Sequence, residues 1–300
     1  MFSTIIVPFD FTPACVGALR HAAVIAEHEG ADLHCVHVYE DFLSYYEIGA
    51  STAYALDRAS VAELRERLEA EIVKVEPESA ERAGWTVEVL EGNPAFRIAE
   101  RASEFRAPLV VLPTHGRGRF RRFLMGSVAN QLLHDLDCPV LTGVHLETPE
   151  RFPSTGYQQV LCAVGMHPGS ESVIRAAAEF ARSWEAPLTV VNAINIFRGG
   201  PVRVTEFPTD LRRYYLDSTE KEIREILTRN DIEADVRVDL QAPDEYVAKV
   251  AADLKADILV AGRGHVTGPA APFRHRVFDL IRESPAPVLS IKESATPNVD

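Results

Sequence analysis

Four cysteines in 300 residues are too few and too scattered for a disulfide framework. Cys15, Cys35, Cys138 and Cys162 form no C-x-x-C pair and mostly sit inside apolar patterns. They are expected as buried free thiols of a reducing compartment. Long hydrophobic runs are also missing: nothing approaches the ~18 apolar residues that cross a membrane, so no membrane partner is expected. The opening MFSTIIVPFDF lacks the basic start of a signal peptide and reads as a strand, which makes a cytoplasmic location the expectation. Basic residues are short as well. The 31 of them against 44 acidic ones leave a formal charge of −13, which argues against nucleic acid as a partner. No G-x-x-x-x-G-K-[ST] loop, G-x-S-x-G elbow or H-E-x-x-H helix occurs, so the commonest hydrolase and NTPase chemistries lack their residues. What remains, 46% hydrophobic and 25% charged over 300 residues, is the make-up of about two ordinary globular domains.

The stretch that carries chemistry is LVVLPTHGRGRFRRFLMGSVANQLL, residues 109–133. Its apolar start, ending at Leu112, is too short for a helix and rich in Val and Leu, so a buried parallel strand is expected. A polar loop follows with Gly116, Gly118 and four arginines, Arg117, Arg119, Arg121 and Arg122. Gly126-Ser127 then opens a helical pattern through Val128, Leu132 and Leu133, with Ser127 expected as its cap. Strand, glycine loop and helix N-terminus together suit an anion. The first helical N–H groups have no partner, the helix dipole favours negative charge, and glycine lets a phosphate approach the backbone. The GRGRF string lacks the third glycine of a dinucleotide fingerprint.

That spacing resembles the universal stress protein family. From Pro113 the chain reads P-x-x-G, nine residues, then G-S; the family carries G-x-x-G, nine residues, then G-[S/T] after its fourth strand as an ATP-phosphate loop. The first strand ends Val7-Pro8-Phe9-Asp10, similar to the family's V-P-x-D, whose aspartate contacts adenosine. Gly92-Asn93-Pro94 matches a G-x-P often found before the third helix. The resemblance implies an adenine-nucleotide site for ATP, with or without Mg; among the residues themselves His115 is the only candidate base, expected to orient the loop or pair with a phosphate oxygen, so at most slow ATP hydrolysis is expected. Pro8, Phe9 and Asp10 close the first strand of that site, and Val38 the second. Leu112 and Pro113 lead into the loop residues His115, Gly116 and Arg117; Gly126, Ser127, Val128 and Ala129 form the helix mouth. The departure is Pro113, where proline fixes φ and offers no N–H.

Read in order, the chain alternates. Thr4–Phe9 is an apolar strand, and Thr12-Pro13 supplies an N-cap and a first helical residue for a helix over Ala14–His28. Leu33–Val38 is a second strand. Its His34 and His37, three apart, face opposite sides and do not converge on a metal. Residues 40–54 read as irregular, with Tyr45 and Tyr46 a candidate cover for the site. A helix is expected over Leu56–Val75, ended by Pro77, then a strand over Trp85–Leu90, a helix over Ala95–Phe105 and a last strand over Pro139–Val144. Five strands alternating with four helices imply an open parallel α/β sheet with right-handed crossovers. The resemblance narrows this to a Rossmann-like, adenine-nucleotide α-hydrolase-like domain.

Residues 145–157, with three prolines or glycines and no periodicity, mark a boundary, giving domains 1–146 and 157–293. Beyond it the pattern restarts. An offset of 155 carries Leu19-Arg20-His21-Ala22-Ala23 onto Ile174-Arg175-Ala176-Ala177-Ala178; 149 carries Leu109-Val110-Val111 onto Ile258-Leu259-Val260; 148 carries Pro139-Val140-Leu141 onto Pro287-Val288-Leu289. The resemblance therefore extends to a tandem form. In the second copy Gly165 replaces Asp10 and Arg274-His275 replaces Gly126-Ser127, so it is expected as a degenerate copy without nucleotide. Binding of a different anion by its basic residues stays open. Family members commonly associate through the last strand, so the two copies are expected to form a pseudo-dimer within the chain, with a homodimer also open. Two readings from other classes stand beside nucleotide binding: an interaction scaffold in which Pro113 marks loss of the first site, and a nucleotidyl-transfer enzyme, for whose substrate domain the repeat leaves no room.

Overall fold

The computed structural model describes residues 1–40, 50–75, 85–105, 108–114, 125–143, 156–194, 208–264 and 276–294. Tyr45, Tyr46, Pro77, residues 115–124, Val144, the stretch 145–155, Arg274 and His275 lie outside the described residues. The chain divides into two compact units, Met1–Phe152 and Pro153–Asp300.

In the first unit β1 (Thr4–Pro8), α1 (Pro13–Glu29), β2 (Asp32–Tyr39), α2 (Ala50–Val75), β3 (Trp85–Glu91), α3 (Pro94–Glu104), β4 (Pro108–Val111), α4 (Ser127–Asp135) and β5 (Val140–Thr142) follow one another. The sheet order is β3-β2-β1-β4-β5, every pair parallel. Strand β1 is buried on both faces, with Ile5, Ile6 and Val7 wholly inaccessible, as a sheet covered by crossover helices requires. Helix α1 starts on Thr12 in extended conformation with Pro13 as its first residue, and stops at Gly30 with φ 66°. Glycine carries that left-handed angle without a Cβ penalty, and Ala31 N–H closes back onto the Ala26 carbonyl at 2.9 Å. Ala18, Leu19, Ala22 and Ile25 recur at helical spacing and are fully buried. Asn93 caps α3, its side-chain oxygen accepting Phe96 N–H at 3.1 Å.

The second unit repeats the alternation with β6 (Val160–Ala163), α5 (Ser170–Ser183), β7 (Leu188–Ala193), α6 (Thr209–Arg229), β8 (Asp235–Asp239), α7 (Pro243–Leu254), β9 (Ile258–Arg263), α8 (Arg276–Glu283) and β10 (Val288–Lys292). Its parallel order is β10-β9-β6-β7-β8. The offsets read from sequence hold down to the pairing register. Ile5↔Leu33 becomes Val160↔Leu188, Ile5↔Leu109 becomes Val160↔Ile258, and Val110↔Val140 becomes Leu259↔Val288. Beneath the sheet Tyr157, Phe180 and Trp184 stack edge to face, with Tyr157–Trp184 centroids 5.0 Å apart.

Phe9, Phe105 and Pro139 fall one residue outside β1, α3 and β5, and three further expectations need correction. Helix α2 begins at Ala50, so residues 50–54 are helical rather than irregular; the segment holds two alanines and no Gly or Pro after Gly49, and nothing in it stops a helix. Strand β4 ends at Val111, one residue before Leu112, although Leu112 N–H still reaches the Leu141 carbonyl at 3.0 Å. The cap of α4 is Gly126, not Ser127, which is the first helical residue and makes no side-chain cap bond. Glycine ranks among the favoured caps, and here its backbone supplies the turn.

Candidate functional site

Parallel sheets of this kind take ligands outside the carboxyl ends of the strands, where the chain order reverses. In the first unit that place is the crevice between β1 and β4. Asp10 stands at its edge, just past β1. One carboxylate oxygen, Oδ1, accepts Thr12 N–H at 3.0 Å, the Thr12 hydroxyl at 2.6 Å and the Cys15 thiol at 2.9 Å. The carboxylate thus forms an Asx turn that aims the chain into α1, while Thr12, in the cap position, spends its hydroxyl on Asp10. Burial, followed by the Asp10 charge, pushes the Cys15 thiol up to about 12, so it stays a proton donor to Asp10 and is no nucleophile.

Next to Asp10 the backbone bends through Phe11 at φ 62°, a left-handed angle uncommon for a bulky residue. The Phe11 ring packs edge-on to Phe9 at 5.5 Å and against His37 at 4.8 Å, and the Arg67 guanidinium of α2 lies 4.5 Å above it. His37 is buried and places Nδ1 2.7 Å from the Phe9 carbonyl, so that nitrogen carries the ring proton. His34, on the other face of β2, instead meets Thr86 Oγ1 at 2.6 Å and the Phe105 ring. Pro8 and Val38 are half-buried at the ends of β1 and β2, and Phe9 is buried.

Across the crevice, Leu112 and Thr114 are buried and Pro113 is half-buried. The Thr114 carbonyl accepts Gly126 N–H at 2.8 Å, tying together the two ends of the loop between them. This removes Gly126 N–H from the donors available at the helix mouth. Ser127, Val128 and Ala129, the first three residues of α4, contribute N–H groups with no partner among the described residues. His115, Gly116 and Arg117 lie outside the described residues. The site as built thus holds Pro8, Phe9, Asp10, Leu112, Pro113, Gly126, Ser127, Val128 and Ala129 at one end of the sheet, with Val38 one strand away.

A family model described as the universal stress protein family matches residues 1–142 and again residues 156–292. The chain belongs to the universal stress protein family. It is the tandem form, with one family domain in each compact unit. A universal stress protein of Methanocaldococcus jannaschii is 31% identical over 143 residues, which is 47% of this chain and 81% of that protein. One from Thermus aquaticus is 30% identical over 144 residues, covering 47% of this chain and 98% of its own length. Among solved structures, a universal stress protein from Archaeoglobus fulgidus covers 97% of this chain and 99% of its own with a TM-score of 0.67 at 15% identity, a likeness of fold. No described helix is long and apolar enough to cross a membrane.

Sequence reading missed Thr12, Cys15, Phe11, Arg67 and Thr114 as parts of this site. Cys15 carried one usable signal, since it sits on the first turn of a helix that starts three residues after Asp10. Arg67 carried none, because only the fold brings α2 over the end of β1.

Proposed function

We propose that the first unit of this universal stress protein binds an adenine nucleotide, ATP with or without Mg, and that the chain acts in stress response or signalling as a nucleotide-loaded protein. The domain over residues 1–146 carries the site and that over residues 157–293 is a copy without nucleotide. The observation that carries this reading is the placement of Asp10 after β1 and of the Ser127, Val128 and Ala129 N–H groups, without a partner among the described residues, after β4, on either side of one switch-point crevice. A carboxylate accepts hydrogen bonds from ribose or adenine, while a helix N-terminus takes phosphate. Thr114 and Gly126 hold the two ends of the intervening loop together beside both groups. Calorimetric titration of the purified, nucleotide-stripped chain with ATP tests it. Saturable binding that weakens at least tenfold in Asp10→Ala is expected; heat of dilution alone would leave the scaffold reading in its place.

A further inference from the structure

We infer that the switch-point crevice of the second unit is a carboxylate site and that its resident ligand is the chain's own Glu293. The crevice lies between the parallel strands β6 and β9, the counterparts of β1 and β4. Glu293 follows β10 and turns its side chain back across the end of β9, where only 15% of it is exposed. Two glycines make the space. A Cβ on Gly262, in β9, would stand 2.9 Å from the Glu293 carboxyl carbon and closer still to Oε1. A Cβ on Gly169, the N-cap of α5, would stand 2.9 Å from Glu293 Cβ and 3.2 Å from Oε2. Any side chain at either position would expel the carboxylate.

The partner groups are preset. His167 Nδ1 accepts Gly169 N–H at 3.3 Å, which leaves the proton of the neutral ring on Nε2, and Nε2 lies 3.3 Å from Glu293 Oε1. The turn that presents His167 is itself pinned: His167 N–H donates to Ser170 Oγ at 3.1 Å, and that hydroxyl donates to the Gly165 carbonyl. The backbone on both sides of the acid is fastened too, Glu293 N–H to the Arg263 carbonyl at 3.1 Å and Ser294 N–H to Ser172 Oγ at 3.4 Å. Glycine on the floor, an imidazole nitrogen 3.3 Å from the carboxylate oxygen and a helix N-terminus alongside suit an anion, and the anion is already present. The second unit lost the acid of its first strand at Gly165. Glu293 brings a carboxylate to the same crevice from the neighbouring side, where it excludes a mobile anion. This holds whether or not the first unit is loaded.

The experiment uses the full chain as wild type, Glu293→Ala and Glu293→Gln, melted in sodium formate and in sodium chloride of equal concentration. Glu293→Ala is expected to melt below wild type and to be raised by formate more than by chloride, as free carboxylate refills the site. Wild type and Glu293→Gln, whose side chains still fill the space, are expected to show no difference between the salts. Formate acting equally on all three chains, or not at all on Glu293→Ala, would overturn the inference.

Discussion

Asp10 holds the turn into α1 and, in the proposed function, contacts the nucleotide; the two separate by substitution. Asp10→Ala removes the acceptor for Thr12 N–H, the Thr12 hydroxyl and the Cys15 thiol. It should cost about 1–3 kcal/mol of stability as well as nucleotide affinity. Asp10→Asn keeps an oxygen for the turn but loses the charge, so it should unfold near the wild-type urea midpoint while still binding ATP more weakly. Equal midpoints for Ala and wild type would remove the turn from the account. Burial of His21 and Cys15 makes stability depend on pH at both ends. His21 is held neutral by burial, its pKa lowered from 6.5 to about 4. The unfolded chain therefore takes up a proton below about pH 6.5 that the folded chain refuses until about 4, and stability falls as pH drops through that window. The contribution is on the order of 3 kcal/mol, and His21→Leu should flatten that part of a stability–pH curve. At the alkaline end the sign reverses. Unfolded Cys15 releases its proton near 9, the folded one only near 12, so stability declines as pH rises from about 9 and Cys15→Ala should lessen the slope.

Among the elements, α4 is the one whose start matters. Gly126 has φ −60° and ψ 149°, angles open to any L-residue. Gly126→Val should therefore keep the fold and its tie to Thr114 while placing a branched side chain at the helix mouth. An ATP affinity lowered tenfold or more, with a melting midpoint lowered only by the loss of a favoured cap, is the expected result; wild-type affinity would place the phosphates elsewhere. Much of this element was readable beforehand. Strand, loop and helix came from a change of hydrophobic period between Leu112 and Val128. The donor taken from Gly126 was not readable, because the Thr114 carbonyl that takes it is twelve residues away and only the folded turn brings them together. The same holds for Arg67 over Phe11, a contact between a helix face and a strand end that no local pattern encodes. Helix α2 was placed too late because amphipathic spacing was the signal used, and its first turns show little of it.

Taken over the whole molecule, the two units differ in what their crevices hold, and the count of bound ligand reads that difference. The first has Asp10 and a helix mouth whose leading N–H groups have no partner among the described residues; the second has Gly165 and the Glu293 carboxylate beside Gly169 and Gly262. One equivalent of adenine nucleotide per chain is expected at saturation, falling toward zero in Asp10→Ala at the same concentration. Two equivalents would mean that the second unit had been misread. The repeat also records where length has been allowed to change. The interval between paired residues of β2 and β3, His34↔Thr86, is six residues longer than that of Thr189↔Asp235 in β7 and β8. The interval of Val110↔Val140 is one longer than that of Leu259↔Val288. Both differences fall between strands and neither within one, since an extra residue inside a strand exchanges its two packed faces and shifts the pairing register. For protein engineering this maps the permissive sites: a fluorophore-bearing peptide spliced between β7 and β8 should leave the fold standing, while one extra residue inside β6 should not.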